Sequence, residues 1–262
     1  MFMFDGEFVQ GIDLVDVSLW AFTIFFFGLI YYLQRESSRE GYPIEDDVSG
    51  KTEKESIFFF PPPKTYKLPH GRGTIERSYG PADTRDLALK RSAPWGGSPF
   101  LPTGDPMQDG VGPASYAMRE DVTDLTDDGR DRISPFRLNA EYYVPEQDFD
   151  PRGHPIVGKD GVVGGTVVDL WVDRSEAVIR YFEVEVEGSD GAKSKVLVPV
   201  PFCTLSKAKK RVTVEAVLGK HFQNVPKTKS PDKITRLEED MVCGYFGGGT
   251  LYATPDIQEP LL

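Results

Sequence analysis

No lysine or arginine occurs before Arg35, although the 262-residue chain carries 30 of them, and no charge of either sign falls within residues 17–34. The first absence removes the positive start of a cleavable signal peptide. With no small-residue cleavage site following, the segment is expected to be retained. Cysteine and histidine are scarce too. Cys203 and Cys243 lie far apart without metal-ligand spacing, and His70, His154 and His221 each lack a neighbouring His or Cys. Local sequence therefore assembles neither a zinc site nor a Cys/His nucleophile pair, and both thiols read as ordinary buried side chains in a reducing compartment. No nucleophile, base and orienting group can be named together, so the chain is read as not an enzyme. Surplus basic charge is also missing. The net charge is −11, and beyond the uncharged run 37 acids face 30 bases. Such a surface repels nucleic acid, and the KAKKR run at residues 207–211, flanked by strand-like sequence, reads as a solvated hairpin turn.

What is present begins with the uncharged run itself. Its 18 residues make roughly 27 Å of helix, enough to span the hydrocarbon core of a bilayer. Trp20, Phe22, Ile24, Phe25, Phe26, Phe27, Leu29 and Ile30 point in every direction of a 3.6-residue period. A helix that is apolar all round must be surrounded by apolar material. Basic residues resist translocation, so Arg35 and Arg39 imply that residues 1–16 lie outside and everything after Gln34 is cytoplasmic. Tyr31 and Tyr32 fall at the inner headgroup level.

Residues 35–63 read as a surface linker in which Phe58, Phe59 and Phe60 dock on membrane or a partner. Residues 64–155 are rich in Gly and Pro, with short strand-like pieces and no convincing amphipathic helix. Long irregular stretches of this kind need another surface to hold them. From Gly161 a period of two becomes legible: Val168, Leu170 and Val172 alternate with Asp169, Trp171 and Asp173, and Phe182, Val184 and Val186 with Glu183, Glu185 and Glu187. These read as half-buried antiparallel strands, and KVLVPVPF and RVTVEAV continue the pattern. A small β-barrel or strongly twisted meander is expected. A carboxy-terminal helix follows, with Ser230 as N-cap, Pro231 in its first position and Gly247, Gly248 and Gly249 as its stop. The class is one transmembrane helix plus a mainly β domain, residues 156–262, ending in that helix.

The stretches GLIYYLQRESSREGYP, LPHGRGT, PTGDPMQDGVGPASY, DPRGHPIVGKDG, VVDLWVDRSE, ITRLEED and CGYFGGGTLYATP occur in this order across nearly the whole chain. Together they resemble the H subunits of the photosynthetic reaction centres of purple bacteria. The resemblance implies a periplasmic amino terminus, a single pass through the intracytoplasmic inner membrane, and a cytoplasmic PRC barrel capping the L and M subunits. It implies no pigment or other cofactor on this chain; bacteriochlorophyll, bacteriopheophytin, quinones and non-haem iron belong to L and M. Membrane lipids are further contacts, and a cytochrome subunit and a core light-harvesting antenna are further members such a complex can carry. The implied work is to stabilise the complex, shield the quinone pockets and help deliver protons to the secondary quinone.

Relay of protons under a water-excluding cap needs ionisable side chains, preferably acids whose pKa is raised toward neutrality. By the resemblance, Asp173 and Glu176 in WVDRSE match pathway acids; without it they read as a polar turn between strands. Glu239 in LEED matches an interior acid, although a helical glutamate is often merely solvated. Arg180 shares the alternating face of Phe182 and Val184, so a buried or interfacial carboxylate partner is expected for it. Where some members of the family carry a histidine pair at the cytoplasmic mouth of the proton path, this chain has Asp128 and Arg130. Asp127, Asp128 and Asp131 could collect protons there instead, or form a solvated acidic loop. Two other readings stand beside the resemblance: a membrane-tethered PRC-barrel binding or assembly module without photosynthetic partners, and a membrane-anchored hydrolase.

Overall fold

In the computed structural model, residues 7–9, 12–39, 46, 49, 61–77, 85–95, 97–188 and 191–255 are described. The chain divides into two units, Met1–Ala82 with Ala93–Pro99, and Asp83–Ser92 with Phe100–Leu262. The aromatic triplet Phe58 to Phe60 and most of the linker lie outside the described residues.

In the first unit a short pair, β1 (Glu7–Val9) and β2 (Ile12–Asp13), leads into α1 (Leu14–Ser37). The helix is longer than the uncharged run at both ends because charged residues cap it. Asp13 accepts from the Asp16 backbone N–H at 2.8 Å and Asp16 reciprocates, while Arg35 lies in the last turn, each complementing the helix dipole. No residue of α1 is buried. Ser18 and Thr23 each donate to the carbonyl four residues back, at 2.8 and 2.7 Å, so neither hydroxyl is left as an unmet donor on the apolar surface. In the last turn of the helix, Glu36 bonds Arg39 and Lys64. The strands β3 (Lys64–Lys67) and β4 (Thr74–Arg77) form a hairpin whose LPHGRG turn needs positive φ at His70, Gly71 and Gly73. That local demand accounts for the motif's composition.

The second unit opens with the ribbon β5 (Leu89–Arg91) and β6 (Phe100–Pro102), then the single turn α2 (Pro106–Asp109), capped by Asp105. Its main sheet has seven strands: β7 (Ile133–Pro135), β8 (Pro155–Val157), β9 (Val163–Asp173), β10 (Val178–Glu187), β11 (Lys193–Pro199), β12 (Cys203–Ser206) and β13 (Arg211–Val214). The order is β11-β10-β9-β8-β13-β12, with β7 pairing the end of β9. Only three residues, Val200–Phe202, join β11 to β12, yet these strands stand at opposite ends of that order. A flat sheet with five inter-strand gaps would be about 24 Å wide, whereas so short a connection spans about 14 Å. The sheet is therefore rolled toward a barrel. The KAKKR run turns from β12 to β13, as its sequence suggested.

Inside the roll, Ile156, Val167, Leu170, Phe182, Phe222 and Phe246 are buried. Two bulges correct the alternation read from sequence. Glu183 pairs with Asp169 but Val184 pairs with Val167, so Val168 is extra and turns outward while Val167 takes the core position. The face expected to be solvated is largely covered too: Asp169, Trp171, Asp173, Tyr181 and Glu183 are all buried.

The last helix, α3 (Arg236–Tyr252), begins five residues later than Ser230 and Pro231 suggested. Thr235 is its N-cap, and Glu238 completes a capping box in TRLE, which outcompetes the Ser-Pro signal. Gly247 to Gly249 do not stop it. They lie within it because a Cβ on Gly248 would stand 2.4 Å from the Ala114 Cβ, and one on Gly249 2.5 Å from the Ala216 carbonyl. Glycine here serves close packing.

Candidate functional site

The turn from β9 to β10 carries Asp173 and Glu176. Asp173 accepts from the backbone N–H groups of Ser175 and Glu176, at 3.0 and 3.3 Å, so it does cap a polar turn. The same carboxylate is almost fully buried, 1 % exposed, and meets two guanidinium groups. Arg132 donates from Nε to both of its oxygens at 3.1 and 3.0 Å, and Arg180 donates to Oδ2 from Nε and Nη2, each at 3.2 Å. Glu176 lies across the mouth, half-exposed. Its Oε1 accepts from Arg132 and its Oε2 from Arg180, both at 2.8 Å. Two carboxylates and two guanidinium groups thus form a closed ring that shields a buried anion from unpaired burial.

Arg180 arrives there by the second bulge. Ile179 pairs with Val172 and Tyr181 with Trp171, so Arg180 is the extra residue and leaves the apolar face on which the sequence had put it. Its expected carboxylate partners are Asp173 and Glu176. Burial pushes the Asp173 carboxyl up, but donation from Arg132, the two turn N–H groups and the charge of Arg132 outweigh this and hold it below the usual carboxylate range. This is the reverse of the raised pKa preferred for a relay acid.

Arg132 comes from the TDDGRDRISP loop, read from sequence as an acidic surface. The loop folds back on itself, with Leu125 opposite Asp131, and Arg132 donates from its backbone to the Asp124 carbonyl at 2.8 Å and from Nη1 to Asp124 Oδ2 at 3.4 Å. Its acids divide. Asp128 sits at the tip, away from the ring, hydrogen-bonded by Thr126 and Arg130, which hold its carboxyl below the ordinary range. Asp131 pairs with Lys233 at 3.0 Å.

Glu239 on α3 behaves oppositely. Its Oε2 accepts from the Tyr181 hydroxyl at 3.2 Å. Burial, aided by the charges of Asp124 and Asp240, outweighs that bond and the pull of Arg119, and raises its pKa. Asp124, bonded to Arg132, therefore couples Glu239 electrostatically to the ring, a link invisible to sequence periodicity. Nearby, Cys243 is exposed, not buried as expected, though its Sγ comes within 3.9 Å of the Tyr181 hydroxyl; Cys203 is half-buried, and burial pushes its thiol up to about 12.

A second ionic cluster lies elsewhere on the sheet. Asp169 and Glu183 are direct cross-strand partners, and Arg137 donates to them at 2.9 and 2.6 Å and to Asp232 at 2.8 Å. Trp171 Nε1 also donates to Glu183, at 2.8 Å. Among the described residues, no group of three or more His, Cys, Asp or Glu side chains is arranged to hold a metal ion.

Comparison with known families gives two matches. The family described as "Photosynthetic reaction centre, H-chain N-terminal region" matches residues 6–138, and the PRC-barrel domain matches residues 146–220.

Proposed function

Because this chain belongs to the reaction-centre H-chain family, a structural subunit that associates with L and M, we propose that it caps their cytoplasmic side and assists proton delivery to the secondary quinone. In this reading α1 crosses the membrane with the amino terminus in the periplasm and the rolled sheet lies in the cytoplasm. The pigments, quinones and iron of the complex reside on L and M.

The observation that carries the proton role is the ring joining Asp173 and Glu176 through Arg132 and Arg180. Doubly reduced quinone needs two protons, while a cap that protects the semiquinone keeps bulk water away. Glu176, open at the mouth, exchanges protons with solvent. Asp173 behind it is the fixed anion that holds both arginines and lowers the cost of a proton passing close by. Glu239, whose pKa burial raises, is the acid of this group that holds a proton most readily. Asp128 at the loop tip, held anionic by Thr126 and Arg130, draws protons toward the mouth.

Flash-induced absorbance kinetics on the purified complex test this reading. Glu176→Gln should leave the first electron transfer to the secondary quinone unchanged and slow the second, which is coupled to protonation. Combination with Asp173→Asn should slow it further. A wild-type rate and pH dependence in the double variant would return both acids to a turn-capping role.

A further inference from the structure

Tyr181 is a buried residue, 4 % exposed, that follows Arg180 on β10. Its hydroxyl has two neighbours on α3: Glu239 Oε2 at 3.2 Å and Cys243 Sγ at 3.9 Å. Glu239 and Cys243 are four residues apart, one above the other on the same helix face. Unlike Asp173, Glu239 meets no arginine at hydrogen-bonding distance among the described residues; Arg119 bonds Asp240 instead, at 3.4 Å. The charged groups facing Glu239 are Asp124 and Arg119 from the preceding loops and Asp240 from α3, while Arg180 of β10 acts on Cys243. Among the described residues, the Tyr181 hydroxyl is the side-chain donor that Glu239 meets when ionised.

A phenol can donate one hydrogen bond and accept others. We infer that Tyr181 is the positioning residue for Glu239, its hydroxyl alternating between two arrangements as that carboxyl takes up and releases a proton. With Glu239 ionised, Tyr181 donates to Oε2. With Glu239 protonated, the carboxyl donates to the phenol oxygen, and the phenol hydrogen turns to the Cys243 sulfur. The O–H donors of Glu239 and Tyr181 keep an acceptor in both states, and the tyrosine never loses its own proton. The added proton comes from solvent or a neighbouring relay group and leaves toward the quinone; no bond other than O–H is made or broken. The inference rests on the proton-handling reading of this site.

The test is a pH titration of the intact complex by infrared difference spectroscopy, following the carboxyl C=O band that Glu239→Gln removes. Tyr181→Phe keeps the ring and deletes the donor, so the midpoint of that band should rise by about one pH unit. The pH profile of the second electron transfer should move with it, and in a Glu239→Gln background Tyr181→Phe should add nothing. A midpoint that Tyr181→Phe leaves in place overturns the inference. If the midpoint moves while the second electron transfer ignores both substitutions, the positioning stands and the relay reading fails. Should Tyr181→Phe not assemble, Cys243→Ala probes the same arrangement: loss of the sulfur penalises the protonated state and lowers the midpoint, and an unmoved midpoint counts against the alternation.

Discussion

Arg180 reaches Asp173 with Nε and Nη2, each at 3.2 Å, only because β10 carries one residue more than β9 at that point. In an unbulged ladder Arg180 would pair with Val172 and aim its charge at Phe182 and Leu170. The bulge gives that position to Ile179 and turns the guanidinium to the carboxylates. A backbone irregularity thus decides where a permanent charge lies.

Asp173 is therefore expected to stabilise the fold when ionised. Its folded pKa lies below its unfolded value near 4, so the stabilisation is present above about pH 4 and is lost as pH falls through the folded value. Asp173→Asn should cost about 1–3 kcal/mol at pH 7, less than a fully buried pair because both arginines are partly solvated. Denaturant melts of the purified complex at pH 7 and at progressively lower pH check this: the gap between wild type and variant should narrow with acid, and a gap independent of pH would contradict it.

Glu239 has the opposite sign. With its folded pKa raised, its contribution is present below about pH 4.3 and is lost as pH rises through the folded value. Glu239→Gln should match wild type in acid and become the more stable of the two on the alkaline side. Thermal melts across this range would refute the assignment if the variant were the weaker at high pH.

Two neighbouring glycines should respond differently to alanine. Gly248→Ala forces α3 away from Ala114 and should destabilise by about 1–3 kcal/mol. At Gly247 a Cβ meets only the Pro113 carbonyl, at 3.5 Å, so Gly247→Ala should be neutral or gain up to about 1 kcal/mol of helix propensity. Equal losses at both positions would show that the Ala114 contact is unimportant.

The proposed topology predicts a protection pattern. In sealed vesicles with the cytoplasmic face outward, protease should digest the sheet domain and spare a fragment containing residues 17–34. Survival of that domain, with cleavage only after detergent, would reverse the orientation.

Much of the fold was legible because it rests on short-range patterns. An uncharged run of helical length and strands of period two need no knowledge of the partner. The bulges at Val168 and Arg180 were not legible, since a bulge is defined by pairing with another strand. The glycines of α3 misled for a related reason: their value lies in Ala114 and Ala216, far away in sequence. The acids of the site were found through the resemblance, but Arg132, which binds Asp173 from 41 residues away, carried no local sign of that role.

The parallel pairing of β8 with β13 sets a clock on synthesis. Val212 and Thr213 must be made before Ile156 and Val157 gain their second neighbour, whereas α1 is complete at Ser37. At ribosomal rates of about 5–20 residues per second, the interval between the end of α1 and Val214 is roughly 10–35 s. For that time the nascent chain has its apolar helix and no complete sheet. If α1 inserts as it is made, insertion precedes folding, and the sheet is completed on a chain already tethered to the membrane.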